Sequence, residues 1–170
     1  MIAEEFNNVF SGVPAQVEKS LGNLDVTQLV DYNSTFKYCS NCNSIFWNPV
    51  TASEVALLIK NLSENKAPGN DLLTSKLIKS VSEIITPIVV YLFNFSLESG
   101  EFPDVLKVAR VVPIFKKGSR NSVENYRPIS LLSIFSKLLE KVVKKRVVNF
   151  LDKNMFLSNN QFGFREGKNT

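Results

Sequence analysis

The sequence contains no histidine and only two cysteines, and these shortages remove several classes of catalytic and metal site. Cys39 and Cys42 form a lone Cys-x-x-Cys, so the remaining ligands of a structural zinc site cannot be Cys or His of this chain. No nucleophile stands beside a candidate base, so no hydrolase of the triad type is indicated. We interpret the two cysteines as free thiols and predict neither catalytic nor metal-binding residues in this chain.

Long apolar runs and a basic amino terminus are also missing. The longest apolar region, 84–97, is shorter than a membrane span and contains Pro87, Asn94 and Ser96. The chain begins with an acidic Ala3-Glu4-Glu5, whereas a secretory signal begins with basic residues. We expect an intracellular protein, cytoplasmic or nuclear, that is not secreted and has no membrane partner.

What the sequence does contain is a folded-domain composition with an uneven charge. Of its 170 residues 44% are apolar, and the formal charge is +4. Residues 1–106 carry 6 basic and 12 acidic groups, whereas residues 107–146 carry 11 and 2. This segregation favours a phosphate-bearing partner for the middle of the chain, and an ordinary solvated basic face is the alternative.

The first hundred residues show helical signals after an indistinct start. Residues 1–50 are predicted to be a linker with a short helix near its beginning. Thr51, three residues before a glutamate, has the spacing of a capping box and opens an amphipathic helix that stops at 65–70. Two further helices are predicted, the second restarting at Thr86-Pro87 and ending at Gly100.

The second part of the chain predicts a β-hairpin followed by a long helix. Residues 105–115 and 125–131 have the β-branched and aromatic content of strands. Pro113 and Pro128 require edge positions, because proline cannot donate to a sheet ladder. Ser133 caps the long helix, whose apolar residues form one wide face. The pattern as a whole predicts an α+β fold.

Three blocks in this order resemble the reverse transcriptases of non-LTR retrotransposons, the jockey-like RNA-directed DNA polymerases of mobile elements. They are Lys66-Ala67-Pro68-Gly69, residues 109–133 (ARVVPIFKKGSRNSVENYRPISLLS) and Gln161-Phe162-Gly163-Phe164-Arg165. The resemblance implies that 51–170 form a partial polymerase domain, the fingers and the start of the palm of a right-hand polymerase. It also implies that 1–50 are a linker upstream of that domain.

One position departs from the family's pattern. The family's first loop usually carries an Asp-Gly pair, where this sequence has Asp71-Leu72. Because leucine resists the positive φ that glycine permits, we expect this turn, and any template contact it makes, to differ from the family's.

The basic hairpin supplies the candidate nucleotide-binding residues, Lys116, Lys117 and Arg127. A triphosphate needs cations projecting from a loop, and lysine gives a point charge where arginine can hold two oxygens. By resemblance, Arg127 and one of the two lysines match nucleotide-contacting positions of the family. The alternative is a turn that is basic only for solubility.

Further basic residues are candidate contacts to template or other nucleic acid. The resemblance implies that Arg165 reaches template or nucleotide phosphate, and we group with it Lys66 of the first loop. The long helix has a basic stripe with spacing i, i+4, i+7 and i+8 that either follows a template backbone or is an ordinary solvated face: Lys137, Lys141, Lys144 and Lys145.

The resemblance implies an enzyme that copies RNA into DNA from a primer, using deoxynucleoside triphosphates and Mg²⁺, a nucleotidyltransferase. Its metal-binding aspartates would lie beyond Thr170, and no Asp-Asp pair occurs in this sequence. We therefore expect a fragment that is inactive alone and requires the palm and thumb of the same polyprotein. A non-catalytic nucleic-acid-binding remnant and a decayed open reading frame without function are the alternatives.

Overall fold

The computed structural model describes residues 2–21, 44–158, 161–163, 165 and 167. Cys39 and Cys42 lie outside this range, so the free-thiol interpretation stays a prediction. The described residues form an α+β structure, as predicted, with these elements in order: α1 (Ile2–Leu21), α2 (Ala52–Lys60), α3 (Ser75–Ser80), α4 (Ser82–Ser99), α5 (Asp104–Lys107), β1 (Ala109–Phe115), a 3₁₀ turn (Val123–Asn125), β2 (Tyr126–Leu132) and α6 (Ile134–Lys153).

The chain divides into two compact units. The first contains α1 and the hairpin residues Val111–Ser130; the second contains Asn43–Arg110 and the chain from Leu131 onward. The sequence instead predicts a boundary at residue 50, between a linker and a polymerase domain. That boundary describes function and not compactness, and it stays a prediction.

The second unit is built around an apolar core supplied by four helices. The helices α2, α4 and α6 contribute side chains at helical spacing, because one apolar stripe of an amphipathic helix must leave water, and α3 contributes Ile78. The stripe of α6 includes Ile134, Leu138 and Val142, all buried. The remaining core side chains include Val55, Ile59, Ile78, Val89, Phe93 and Leu139.

The predicted helix caps are present. Thr51 Oγ1 accepts a hydrogen bond from the N–H of Glu54 at 3.2 Å, and Ser133 Oγ accepts one from the N–H of Phe135 at 3.2 Å. Gly100 ends α4 in the left-handed region at φ 71°, a conformation that glycine adopts without steric cost. Local capping chemistry therefore sets these three boundaries.

Two predicted boundaries are wrong. The helix does not restart at Thr86-Pro87: α3 gives way to α4 at Val81, and Pro87 lies inside α4. Ile78 and Val89, on either side of the break at Val81, both lie in the core, and the proline signal does not set the boundary. The first predicted strand is also too long, because 104–107 form a helical turn closed by an ion pair between Lys107 Nζ and Asp104 Oδ1 at 2.6 Å.

In the first unit, α1 is longer than the short helix expected, and the two strands form an isolated pair. The N–H of Lys116 donates to the carbonyl of Asn125 at 2.8 Å, which fixes the register of the hairpin. In a two-stranded sheet both strands are edges, so the edge requirement of Pro113 and Pro128 is met.

Candidate nucleic-acid interface

The tip of the hairpin is a structured turn. Gly118 has φ 90°, and a β-carbon there would lie 2.8 Å from Nδ2 of Asn125. Asn125 Nδ2 itself donates to the carbonyl of Ser119 at 2.8 Å, and Tyr126 Oη donates to the carbonyl of Arg120 at 3.0 Å. These bonds cross the turn, so the tip holds one shape and presents Lys117 to solvent.

One face of the hairpin is aromatic and covered by α1. The rings of Phe115 and Tyr126 lie edge to face with their centroids 5.4 Å apart. The ring of Phe6 in α1 also lies edge to face with that of Tyr126, with a centroid distance of 4.9 Å. The guanidinium of Arg120 lies 5.0 Å above the ring of Phe115. Such contacts bury the aromatic area and attach one cation of the tip to this face.

The opposite face is open and basic. Side chains alternate across a strand, so Lys116 and Arg127 both lie on the face away from Phe115 and Tyr126. In the register set by Lys116 and Asn125 they are diagonal neighbours, roughly 7 Å apart. Lys116, Lys117 and Arg127 are exposed, and within the described residues none of them has an ion pair or side-chain hydrogen bond. The register therefore places Lys116 and Arg127 on one face, Lys117 follows at the exposed tip, and the three charges are unmatched within the described residues.

The loop that carries Lys66 packs closely against the start of α6. A β-carbon on Gly69 would lie 2.6 Å from the backbone carbon of Leu132 and the nitrogen of Ser133, so only glycine fits there without a shift. Leu72 adopts φ 58°, although we expected leucine to change this turn. The turn thus keeps the left-handed residue that a glycine would supply, at a cost in strain. Lys66 is exposed and has no ion pair among the described residues.

The four lysines of α6 are not equivalent. Lys141 and Lys144 are exposed without an ion pair in the described part of the chain, and Lys137 is half-buried. Lys145 Nζ lies 3.5 Å from Oε1 of Glu54, so its charge is partly matched. The basic stripe predicted from spacing is therefore open chiefly at its middle.

Arg165 is engaged within the chain. Its Nη2 lies 3.3 Å from Oδ1 of Asp152, and its Nη1 donates to the carbonyl of Ser158 at 3.2 Å. These bonds tie the segment after α6 to the end of that helix. Binding of nucleic acid by Arg165 stays a prediction, and it would require the guanidinium to share or leave these partners.

Sequence reasoning missed the most connected cation, Arg146. Its Nε donates to the carbonyl of Asn48 at 2.8 Å, its Nη2 lies 3.1 Å from Oε2 of Glu54, and its Nη1 lies 3.4 Å from Oε1. Burial alone would raise the pKa of Glu54, but hydrogen bonding and charge from Arg146, with the charge of Lys145, lower it below its usual value. The sequence drew attention to Glu54 only through the capping-box spacing, as a partner of Thr51 and not of Arg146.

No group of three or more His, Cys, Asp or Glu in the described ranges is arranged to hold a metal ion. None of the helices in those ranges is long and apolar enough to cross a membrane. Among the described residues, the geometry thus offers open cations for phosphate and no cluster of His, Cys, Asp or Glu for a metal ion.

Comparison with known proteins finds several relatives among the proteins of mobile elements, including the following three. The chain is 35% identical over 119 residues, 69% of its length, to the RNA-directed DNA polymerase from mobile element jockey of Drosophila funebris, and covers 13% of that protein. It is 36% identical over 117 residues, 68% of its length, to the same protein of Drosophila melanogaster, and covers 13% of that protein. It is 30% identical over 119 residues, 69% of its length, to the retrovirus-related Pol polyprotein from type-1 retrotransposable element R1 of Bradysia coprophila, and covers 12% of that protein. No protein-family model matches, and the chain spans about an eighth of these relatives' length.

Proposed function

The chain is a relative of the RNA-directed DNA polymerases of non-LTR retrotransposons over about 70% of its length, and we propose that it binds nucleotide phosphate and template for such an enzyme. In this proposal 51–170 are the fingers and the start of the palm. The observation that carries it is the open face and tip of the hairpin, where Lys116 and Arg127 on the face and Lys117 at the tip lack acidic partners within the described residues.

Nucleotide binding follows from the chemistry of that face. A triphosphate carries about four negative charges, and two lysines with one arginine neutralise most of them. Arg127 offers a planar fork that can hold two phosphate oxygens, while Lys116 and Lys117 act as point charges. The ordered tip supports this role, since the Asn125 bond fixes the turn before any ligand arrives and lowers the entropy cost of binding.

Template binding is supported by the second unit. Lys141 and Lys144 are exposed on one helix without carboxylate partners in the described residues, which suits contact with a phosphate backbone. Lys66 is a further open cation of this unit. Lys137, Lys145 and Arg165 would contribute less, because they are half-buried or already paired.

The polymerase reaction uses Mg²⁺ to stabilise the charge that develops on the transferred phosphate. The described residues provide no carboxylate cluster for that ion, so no step of nucleotidyl transfer is assigned to them. We propose that the metal-binding aspartates belong to another part of the polypeptide, and that the partners of this chain are RNA template, primer, deoxynucleoside triphosphate and that remaining part.

The hairpin proposal is tested by titrating a deoxynucleoside triphosphate with Mg²⁺ into the chain by calorimetry. Replacing Lys116, Lys117 and Arg127 together by alanine should weaken binding by at least about tenfold, since a lost charge-assisted bond costs about 1.4 kcal/mol or more. Arg127→Lys should lose part of the affinity, because the charge stays but the fork is gone.

The matched control removes the same charge from elsewhere. Alanine at Lys60, Lys76 and Lys153, all exposed, lowers the net charge equally but leaves the hairpin intact. Its affinity should stay within about twofold of the parent. Equal weakening by both triple variants would show that diffuse charge, not this face, attracts the nucleotide and would refute the proposal.

A further inference from the structure

Arg120 is a cation at the tip of the hairpin that the proposed nucleotide site does not use. It lies in the turn between the two strands, three residues after Lys117, and its side chain is exposed. Within the described residues it has no ion pair with a carboxylate. Its charge is therefore open to a ligand other than the triphosphate assigned to Lys116, Lys117 and Arg127.

Two contacts hold Arg120 in place. Its guanidinium carbon lies 5.0 Å from the centroid of the Phe115 ring, within the distance of a cation–π contact. Its backbone carbonyl accepts a hydrogen bond from Tyr126 Oη at 3.0 Å, which attaches the same residue to the second strand. Because both the backbone and the end of the side chain are held, less conformational entropy is lost when a ligand binds.

The guanidinium of Arg120 has an aromatic ring on one side and solvent on another. The ring belongs to Phe115, and the exposure of Arg120 indicates that part of the guanidinium stays open. A guanidinium is planar and delocalised, and it stacks on flat π-systems as an aromatic ring does. Single-stranded nucleic acids bind proteins by stacking unpaired bases on aromatic rings and arginine planes.

These features favour an unpaired nucleobase over other ligands. A phosphate ion needs the charge of the guanidinium but gains nothing from the ring of Phe115 behind it. The bases of a duplex are stacked on one another, so only its phosphates reach an exposed side chain. A single strand supplies both an open base for the plane of Arg120 and a neighbouring phosphate for its charge.

We propose that Arg120, supported by Phe115, is a stacking site for an unpaired base of single-stranded RNA. The base lies on the guanidinium, while Phe115 and Tyr126 keep that group at the tip. The site selects unpaired strands and tolerates any base, since every base has a flat face. The inference rests on the proposed binding of RNA template by this chain, but not on the nucleotide site.

The test uses the 170-residue chain and a labelled single-stranded RNA of about 12 nucleotides, followed by fluorescence anisotropy. A second strand has the same number of phosphates but abasic sugars, so it offers nothing to stack. Arg120→Lys keeps the charge and removes the plane. We expect this variant to bind the RNA about fivefold more weakly or worse, the loss of one stacked base, and the abasic strand within about twofold of the parent.

The matched control makes the same change at Arg110. That arginine is also exposed, and within the described residues it has neither an ion pair nor a ring contact. Arg110→Lys should bind both strands as the parent does. A spectroscopic measurement reports stacking directly, because the fluorescence of 2-aminopurine is quenched when the base stacks. RNA that contains this base should be quenched on binding the parent, and less so on binding Arg120→Lys.

The outcomes separate this proposal from the one on which it rests. Equal weakening of the RNA and the abasic strand by Arg120→Lys overturns the stacking site, because Arg120 would then contact phosphate alone. RNA binding by the parent that neither Arg120→Lys nor the quenching distinguishes from Arg110→Lys overturns it too, and leaves template binding intact. Failure of the parent to bind the RNA overturns both proposals, whereas the triphosphate titration tests the nucleotide site independently.

Discussion

Replacing Glu54 by glutamine should destabilise the second unit in a manner that depends on pH. The change keeps the size of the side chain but removes the charge that faces Arg146 and Lys145. A hydrogen bond to a charged group contributes about 1.5–3 kcal/mol when shielded, and an exposed ion pair about 0–1. Glu54 and Arg146 are 17% and 10% exposed, so the pair lies toward the shielded case.

Two features reduce the expected loss. The amide oxygen of glutamine can still accept one bond from the guanidinium, and Arg146 keeps the carbonyls of Asn48, Pro49 and Val142. We therefore expect a loss of about 1–2 kcal/mol in the free energy of unfolding at pH 7. For a chain of this size that lowers Tm by about 2–8 °C.

The pH dependence gives the sharper test. The pKa of Glu54 is lower in the folded chain than its ordinary value of 4.5. Its ionised form therefore contributes fully above that value, and the contribution disappears as pH falls through the lower folded pKa. The difference between parent and Glu54→Gln should be constant near neutral pH and should shrink below about pH 4.5.

Urea unfolding followed by circular dichroism from pH 3 to pH 7 measures this difference. Glu64→Gln is the matched control, since Glu64 is 55% exposed and its pair with Lys79 at 3.2 Å lies at the surface. That variant should change stability by less than about 0.5 kcal/mol. A difference for Glu54→Gln that is absent at pH 7, or equally large at pH 3, would refute the reasoning.

Two backbone predictions concern the loop before α3. Leu72→Gly should raise the free energy of unfolding by about 1 kcal/mol in urea titrations, because φ 58° strains leucine and the side chain is 67% exposed; unchanged or lower stability contradicts this. Gly69→Ala should lower it by about 2 kcal/mol or more, since the new β-carbon would meet the backbone of Leu132 at 2.6 Å; an alanine variant as stable as the parent would show that the loop moves freely.

Local signals predicted those parts of the fold in which one residue determines a boundary. Thr51 and Ser133 cap helices because their hydroxyls accept hydrogen bonds from backbone N–H groups of the first turn, which have no partner within the helix. Gly100 ends a helix because it adopts a positive φ. Pro87 was misleading because it removes one hydrogen bond without preventing a helix, and the break lies at Val81, between the core residues Ile78 and Val89. A boundary set by tertiary packing cannot be read from one position.

The candidate site shows the same contrast. The diagonal placement of Lys116 and Arg127 follows from the hairpin, because a hairpin brings its two strand ends together. The role of Arg146 could not be predicted, because its partners Asn48 and Glu54 lie 98 and 92 residues away in sequence. The periodicity of a helix indicates which residues three or four positions apart are neighbours, so it cannot indicate a contact between Arg146 and Glu54.

Only some of the cations in the basic block at 107–146 are available to an external partner, because the others already pair with carboxylates of this chain. Glu54 matches Lys145 and Arg146, and Asp104 matches Lys107, so the acidic half of the chain neutralises part of the block. Within the described residues, the cations left without carboxylates include those on the open face of the hairpin and those in the middle of α6. Net charge alone would predict diffuse attraction to any polyanion. Unmatched cations on a fixed turn instead predict a localised phosphate site, which is why an equal loss of charge elsewhere should not reproduce the effect of the hairpin variants.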